Sequence, residues 1–368
     1  MELNKVSPPP FGRARESNIE LYRILVMLLI VAHHYVVNSK LGLVVSDNVF
    51  SFRSIFYLLF GCWGKIGINC FVCITAWFMC KSHITLEKFT KLLLQVYFYR
   101  FIFFIVFLLT GFEKCSIRSL FWLLSPFGSG IYSNFTGCFL LFFLCIPFLN
   151  VLLQHLTRQK HFQLVCLMLC VYSALPLIPW FHVIFNYTTW FCILYIIVSY
   201  LRFYPNRLTD NSLHYGWLLL VCLALAIGSV VCIVLFNQEA GKHVAPFFFV
   251  SDSNKILAII IGLLSFLFFK NLPIRHSQII NTISATTFGV LCIHANSDAM
   301  REFLWNRLFR NADFYSSPYF IMHAFGTVLT VFAVCSFIDY LRLRFLEPSF
   351  MRLALPVARK IKSTVFVA

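Results

Sequence analysis

The chain is poor in charge, and above all in acidic charge. Only 12% of its 368 residues are charged, and Asp and Glu together number 14 against 30 Lys and Arg. A soluble globular domain carries about 25% charged residues. Because 60% of the residues are hydrophobic and 44 are phenylalanine, the composition excludes an ordinary soluble domain and predicts a protein of the lipid bilayer.

Other common features are also missing. The basic residues form no long run with interleaved aromatics, so the net charge of +16 does not indicate a nucleic-acid partner. No linker or low-complexity tract is long enough to separate soluble domains. Cys70 and Cys73 have the C-x-x-C spacing, yet no second Cys or His pair accompanies them as a structural zinc site requires. We therefore predict a single membrane-embedded bundle without a metal site.

The chain does have a series of apolar runs. We count ten of them and predict an all-α, polytopic transmembrane helical bundle of about ten spans. The runs fall near residues 19–37, 61–80, 92–111, 135–154, 163–181, 187–203, 215–236, 256–270, 282–299 and 318–340. No small-residue cleavage site follows the first run, so we expect a retained span and not a signal peptide.

An even number of spans places both termini on one side of the membrane. The connections on that side are short and basic, whereas the longer connections 39–60, 112–134, 237–255 and 300–317 fall on the other side. By the positive-inside rule the basic side is cytoplasmic, where it faces anionic lipid head groups. Its loop cations are Lys81, Lys88, Lys91, Arg158, Lys160, Arg202, Arg207, Lys270 and Arg275. We predict a cytoplasmic leader (1–18), a membrane domain (19–345) and a basic cytoplasmic tail (346–368).

The first apolar run carries Glu20, Arg23, His33 and His34. Ionisable groups inside a span are expensive and mark functional sites. At about 100° per residue, His34 returns to within about 20° of Arg23, whereas His33 falls about 80° away. His34 would lie about 16 Å along the helix axis from Arg23. One helix face thus runs from an ion pair near the cytoplasmic entrance to an imidazole at mid-membrane depth.

Several roles fit these residues. His34 could be a general base, a proton relay or an interhelical hydrogen-bonding group, and we expect His33 to be structural. Glu20 and Arg23, at i and i+3, could form a local salt bridge, or Arg23 could hold a phosphate or an oxyanion. Residue types alone do not choose among these roles.

Further polar residues lie near other runs. Lys88 and Lys91 precede the third run, where they could bind phosphates or anchor the loop at the membrane surface. Arg100 lies inside that run, too deep to be an anchor, so we expect it to face the bundle interior. In the ninth run His294 and Asp298 stand at i and i+4, which predicts a second polar cluster near the outer end.

These residues resemble a known family. E-L-Y-R at Glu20 to Arg23, with His34 eleven residues after the arginine, is similar to the signature of the acyltransferase-3 family of integral membrane O-acyltransferases, which modify bacterial surface polysaccharides and related glycans. Where many members carry Arg-x-x-Arg before the third helix, this chain has Lys88 and Lys91. Further similar segments are 63–78, 139–150, 193–205, 284–294 and 337–342.

The resemblance implies an enzyme that moves an acyl group, usually acetyl, from cytosolic acyl-CoA to a hydroxyl of a glycan or lipid-linked saccharide. It implies acetyl-CoA as a cosubstrate, no permanently bound cofactor and a place in the bacterial cell (inner) membrane. His34 would be the general base or, alternatively, would itself be acylated, and Arg23 and Glu20 would complete the catalytic set. The predicted donor-binding residues are Arg23, Lys88, Lys91 and Arg100.

A function of another class uses the same residues. In a proton-coupled transporter or flippase, the charged face of the first span would line a pathway and His34 would relay protons. No inverted repeat or pair of Gly/Pro-broken spans is visible to support it. We keep it as the alternative to the acyltransferase.

Overall fold

The fold was described from a computed structural model. The described residues are 15–82, 84–125, 134–178, 180–181, 183–205, 209–210, 212–241 and 244–365, with the backbone alone at 212–214 and 361–365. Most of the predicted leader, the loop cation Arg207 and the last three residues of the predicted tail lie outside them. Within the described residues every regular element is a helix, so the all-α prediction is confirmed.

The helices of the first half lie between Ser17 and Leu177. They are α1 Ser17–Val37, α2 Leu41–Asp47, α3 Phe52–Gly61, α4 Gly64–Met79, α5 Leu86–Leu109, α6 Ile117–Leu124, α7 Phe135–Gln154 and α8 Arg158–Leu169, which continues through a π turn and a 3₁₀ turn to Leu177. Residues 39–60 were predicted to be a long outer connection, but most of them form α2 and α3. Ser51 begins α3, because its side chain accepts a hydrogen bond from the Ser54 N–H at 3.1 Å.

The helices of the second half begin at Tyr187. They are α9 Tyr187–Phe203, α10 Ser212–Ala240, α11 Ile256–Asn271, α12 Gln278–Ala285, α13 Thr287–His294, α14 Asp298–Arg301, α15 Phe320–Leu341 and α16 Glu347–Val365. A π-helical segment, Glu302–Leu308, extends α14, and another, Arg342–Leu346, joins α15 to α16.

Seven helices in the described part of the chain are long and apolar enough to cross a membrane, and α9 and α11 are shorter apolar helices. The predicted count of ten spans is not confirmed. The ninth apolar run divides at Thr286 into α12 and α13. The Thr286 hydroxyl donates to the Ile283 carbonyl at 2.7 Å, and the Thr287 hydroxyl donates to the Ser284 carbonyl at 2.8 Å. Such side-chain bonds compete with the helix ladder and bend or break it.

Helix α1 lies at the centre of the bundle. It packs against α3, α4, α11, α12, α13 and α15, and Ile19, Met27 and Tyr35 on it are fully buried. Glycines on α4 allow the close approach: a Cβ at Gly64 would lie 2.1 Å from the His33 ring, and one at Gly67 would lie 2.8 Å from Ile30. The part of α1 between Ile30 and His33 is therefore packed closely against α4.

The outside of the bundle is apolar. On α10, Trp217, Leu220 and Leu225 are exposed, and on α15 Leu329 and Phe337 are exposed. An exposed surface of this kind is stable where it faces lipid. Together with the long apolar helices, it identifies a multi-pass membrane protein.

Candidate active site

His34 lies in the last turn of α1, which ends at Val37. The ring is half-buried. Its Nδ1 lies 2.9 Å from Nε2 of His294, the last residue of α13. Two imidazoles from segments 260 residues apart therefore form one hydrogen-bonded pair.

The partners of His294 fix where the protons lie. Its ring is fully buried, and its Nδ1 lies 2.6 Å from the Val290 carbonyl oxygen. A carbonyl can only accept, so Nδ1 of His294 carries the proton and the Nε2 of the neutral ring accepts. The Nδ1–H of His34 then donates to it. This hydrogen-bond network leaves Nε2 of His34 with its lone pair.

His33 has a different environment. Its Nδ1 lies 2.5 Å from the Gly61 carbonyl oxygen at the end of α3, and its ring fills the space left by Gly64. His33 thus joins α1 to α3 and α4, and it shares no hydrogen bond with the imidazole pair in the described residues.

Glu20 is the centre of a polar cluster near the start of α1. Its carboxylate accepts a hydrogen bond from Ser284 of α12 and lies 3.6 Å from Arg23 and 3.5 Å from Arg15. The Glu20 side chain is only 7% exposed, whereas Arg23 is 24% exposed. The local salt bridge is therefore present, and part of the Arg23 side chain remains accessible for a ligand.

The contacts of α1 also define helix directions. Its start meets α12 at Ser284 and its end meets α13 at His294, so α1 and the α12–α13 segment run parallel. The end of α1 meets the start of α15, where Tyr35 Oη lies 2.7 Å from His323 Nδ1. Helix α15 is therefore antiparallel to α1.

Helix α5 completes this arrangement. Lys91, near its start, pairs with Glu347 just beyond the end of α15, so α5 is antiparallel to α15 and parallel to α1. The predicted cations Lys88 and Lys91 thus lie at the same end of the bundle as Arg23 and Glu20. The imidazole pair lies toward the opposite end.

The predicted donor-binding cations do not form one cluster. Lys88 donates to Ser82 Oγ at 2.9 Å, and Lys91 pairs with Glu347. Arg100 is twelve residues beyond Lys88 on α5, about 18 Å along the axis. It donates to the Ser125 carbonyl oxygen at 2.5 Å and lines a separate cavity.

Comparison with known families identifies the chain. A family model described as an acyltransferase domain matches residues 16–339, which include both imidazoles, the Glu20–Arg23 pair and Arg100. The chain belongs to the acyltransferase-3 family. It is therefore a membrane acyltransferase. No curated protein and no solved structure matches the chain.

His294 and Asp298 do not form the cluster that their spacing in the acyltransferase predicts. Helix α13 ends at His294, and Ser297 begins α14 by accepting from the Met300 N–H at 3.2 Å. A spacing of four residues brings side chains together only within one continuous helix. Asp298 instead pairs with Arg301 at 2.7 Å.

Asp339 is a buried charge of the acyltransferase to which the sequence analysis assigned no role. It accepts hydrogen bonds from Tyr99 at 2.7 Å, from Gln95 at 3.2 Å and from Arg342 at 2.6 Å. Both Asp339 and Arg342 are almost completely buried. In the sequence, the sign of this pair was an acid and an arginine at i and i+3 at the end of an apolar run. The sequence analysis included these two residues only within segment 337–342, which resembles the family.

The cysteines of the acyltransferase form no disulfide bonds in the described part of the chain. All 14 cysteines are free, and Cys70 and Cys73 are buried, with the Cys70 thiol 3.6 Å from the Ser265 hydroxyl. Among the described residues, no group of three or more His, Cys, Asp or Glu side chains is arranged to hold a metal ion.

Proposed function

We propose that this membrane acyltransferase moves an acetyl group from acyl-CoA to a hydroxyl of a cell-surface or exported glycan, with His34 as the general base. The hydrogen bonds that leave Nε2 of His34 unprotonated carry this proposal. A neutral imidazole with a free lone pair, half-buried in a mainly apolar bundle, is suited to take a proton from a hydroxyl.

In the proposed step the acceptor O–H gives its proton to Nε2 of His34 as its oxygen attacks the thioester carbonyl carbon. The new C–O ester bond forms and the C–S bond breaks. Coenzyme A leaves as a thiolate and takes the proton back from the imidazolium, so that free thiol and neutral His34 are restored. His294 remains neutral and orients the ring through the Nδ1 bond.

We assign the donor to the end of α1 that carries Glu20 and Arg23. Arg23 lies about 16 Å along the axis from His34, and the pantetheine arm of an acyl-CoA separates its anionic phosphates from its thioester in the same way. A guanidinium is suited to phosphate oxygens, and Glu20 holds Arg23 in place at 3.6 Å. Lys88 at the same end adds positive charge. No permanently bound cofactor enters the reaction.

We also propose that this end faces the cytoplasm of a bacterial cell, across its inner membrane. The basic loops and termini belong to this side by the positive-inside rule. The glycan or lipid-linked saccharide then approaches from the end of α1 that carries His34. The enzyme would then transfer the acyl group between compartments.

The proposal is tested by label transfer from radiolabelled acetyl-CoA to surface glycan in membranes that contain the protein. His34→Gln should lose about 10²–10⁴-fold of the transfer rate, the range typical of general-base catalysis. His33→Gln is the matched control, measured at equal protein level in the membrane, and it should retain most of the rate.

Equal transfer by wild type and His34→Gln would contradict the base assignment. No consumption of acetyl-CoA by wild type, together with proton flux that His34→Gln abolishes, would favour a transporter. Trapping of labelled His34 would replace direct transfer by an acyl-enzyme mechanism on the same residue.

A further inference from the structure

A cavity of about 710 Å³ lies beyond the end of α13, the helix whose last residue is His294. Arg100 of α5, Trp122 of α6 and Asn134 at the start of α7 line it, together with Asn296 and Arg301 on the chain that follows α13. Its volume is within the range of about 300–1,000 Å³ that is common for small-molecule sites. Asn296 is only two residues beyond His294, so the cavity lies next to the chain segment that carries this imidazole, while neither His34 nor His294 is part of its lining.

The cavity lies toward the His34 end of the bundle. Asn296 and Arg301, which line it, follow α13 in the chain, and α13 runs parallel to α1. Arg301 on its wall is close enough to both His34 and His294 for its charge to act on them. The cavity is therefore on the His34 side of the bundle, at the end of α1 opposite to Arg23.

Positive charge is in excess in this cavity. Three guanidinium groups, those of Arg100, Arg118 and Arg301, line it together with two carboxylates, those of Glu113 and Asp298. Arg301 is paired with Asp298 at 2.7 Å, and Arg100 is bonded to a backbone carbonyl.

Two guanidinium groups of this lining have donors without a partner among the described residues. Arg118 is exposed and makes no hydrogen bond or ion pair there. Nε of Arg301 is buried without a hydrogen-bond partner. A planar guanidinium presents paired donors to a carboxylate or a phosphate.

The other lining groups suit a saccharide. Asn134, Asn296, Ser116 and Ser119 provide polar side chains for hydroxyl groups. Phe104 and Trp122 add aromatic faces on which the apolar side of a sugar ring can pack. The combination is that of a site for a polar ring compound that carries a negative charge.

We propose that this cavity binds the acceptor saccharide and selects one that bears a carboxylate or phosphate, held by Arg118 and Arg301. The inference rests on the proposed function, because it takes the cavity as the acceptor side of the acyl transfer. It goes further in naming an acidic sugar as the substrate class.

The test is binding to purified full-length protein in neutral-lipid nanodiscs, measured by titration calorimetry at about 100 mM salt. The probes are a tetrasaccharide containing glucuronic acid and the same tetrasaccharide with its carboxyls reduced to hydroxymethyl groups. We expect the acidic probe to bind at least tenfold more tightly. Glucose 1-phosphate against methyl glucoside, measured in parallel, tells phosphate recognition from carboxylate recognition.

Substitutions locate the selectivity. Arg118→Gln should remove most of the preference for the acidic probe without changing the affinity for the neutral one, and Arg118→Lys should retain part of it. Lys40→Gln removes an exposed cation outside the cavity lining and should leave the preference intact.

Equal affinity for acidic and neutral probes, or no binding of either, would overturn the proposal. So would a preference that persists in an Arg118→Gln/Arg301→Gln variant, or one that Lys40→Gln removes equally. Selective binding without label transfer from acetyl-CoA would leave the cavity assignment standing and refute the acyltransfer scheme instead.

Discussion

At the scale of single residues, the protonation of His34 depends on one neighbour. His294 accepts from Nδ1 of His34 at 2.9 Å and is itself held by the Val290 carbonyl. His294 touches no reacting atom in the proposed reaction, so it is a positioning residue. Its contribution is the tautomer and the orientation of the base.

Substitution of His294 tests this role. We expect His294→Leu to lower kcat/KM for acyl transfer by about 10²-fold, because Nδ1 of His34 loses its acceptor and the base loses its preferred tautomer. His294→Gln should lose less, since its amide oxygen can accept the same hydrogen bond. The measurement is the pH profile of kcat/KM for both variants. Equal losses in Leu and Gln would show that His294 only fills space.

Glu113 gives a prediction about pH at a single residue outside the spans. Partial burial, and secondarily the negative charge of Asp298, raise the pKa of its carboxyl. The folded protein then binds the proton more readily than the unfolded chain, so ionised Glu113 lowers stability at neutral pH, and this effect fades as the pH falls through the raised pKa.

Glu113→Gln should therefore unfold at a higher temperature than wild type at pH 7. The difference should shrink as the pH falls and approach zero only below about pH 4, where the carboxyl is mostly protonated in both the folded and the unfolded chain. Thermal unfolding of the detergent-solubilised protein at several pH values measures it. A difference that is constant with pH would contradict the role of ionisation.

At the scale of the helices, the contact between α1 and α4 depends on the absence of a side chain at Gly64. A Cβ there would lie 2.1 Å from Cγ of His33. Gly64→Ala should lower the free energy of unfolding by about 1–3 kcal/mol, the usual effect of overpacking. The same change at Gly228, where a Cβ would meet nothing within 4 Å, should be neutral or stabilising.

Thermal unfolding midpoints of the two variants, in the same detergent, provide the comparison. If the Gly64→Ala and Gly228→Ala variants have the same unfolding midpoint, α1 and α4 must be able to move apart without loss of stability. Because His33 precedes His34 directly, we also expect Gly64→Ala to reduce acyl transfer more than stability alone requires.

Much of α1 could be predicted from sequence, since the pattern of one apolar helix identified Glu20, Arg23 and His34 without knowledge of their neighbours. The partners could not. His294 belongs to a segment 260 residues away, and only tertiary packing shows that Nδ1 of His34 meets it. The break at Thr286 was also missed, because hydropathy does not report side-chain bonds to the backbone.

Asp339 shows a similar limit at the level of elements. An acid at the end of an apolar run was visible in the sequence, but its hydrogen bonds from Tyr99 and Gln95 depend on α5 lying beside α15. The cavity beyond the end of α13 likewise brings together α5, α6 and α14, which no local pattern relates.

At the scale of the whole molecule, polar groups are divided between two ends. Arg23, Lys88 and Lys91 lie at one end, and the imidazole pair and the arginine-lined cavity lie toward the other. This separation supports the proposed transfer across the membrane, because donor and acceptor would meet only at the thioester carbon.

The orientation can be tested with alkaline phosphatase fusions, which are active only when exported. We expect a fusion after Ala368 to be inactive and a fusion in the loop after Thr110 to be active, since α5 runs parallel to α1 and ends on the acceptor side. An active C-terminal fusion would place that terminus outside and reverse the assignment of donor and acceptor ends.

The parallel pairing of α1 with α12 and α13 has a consequence for biosynthesis. The first helix enters the membrane with a carboxylate and an imidazole whose partners, Ser284 and His294, have not yet been made. At about 5–20 residues per second, the 260 residues between the two histidines take roughly 13–52 s to synthesise. Throughout that interval His34 lacks the neighbour that sets its tautomer. The proposed base therefore acquires this neighbour only after α13 has been made, and a chain truncated before α13 should remain inactive even if every earlier helix had folded.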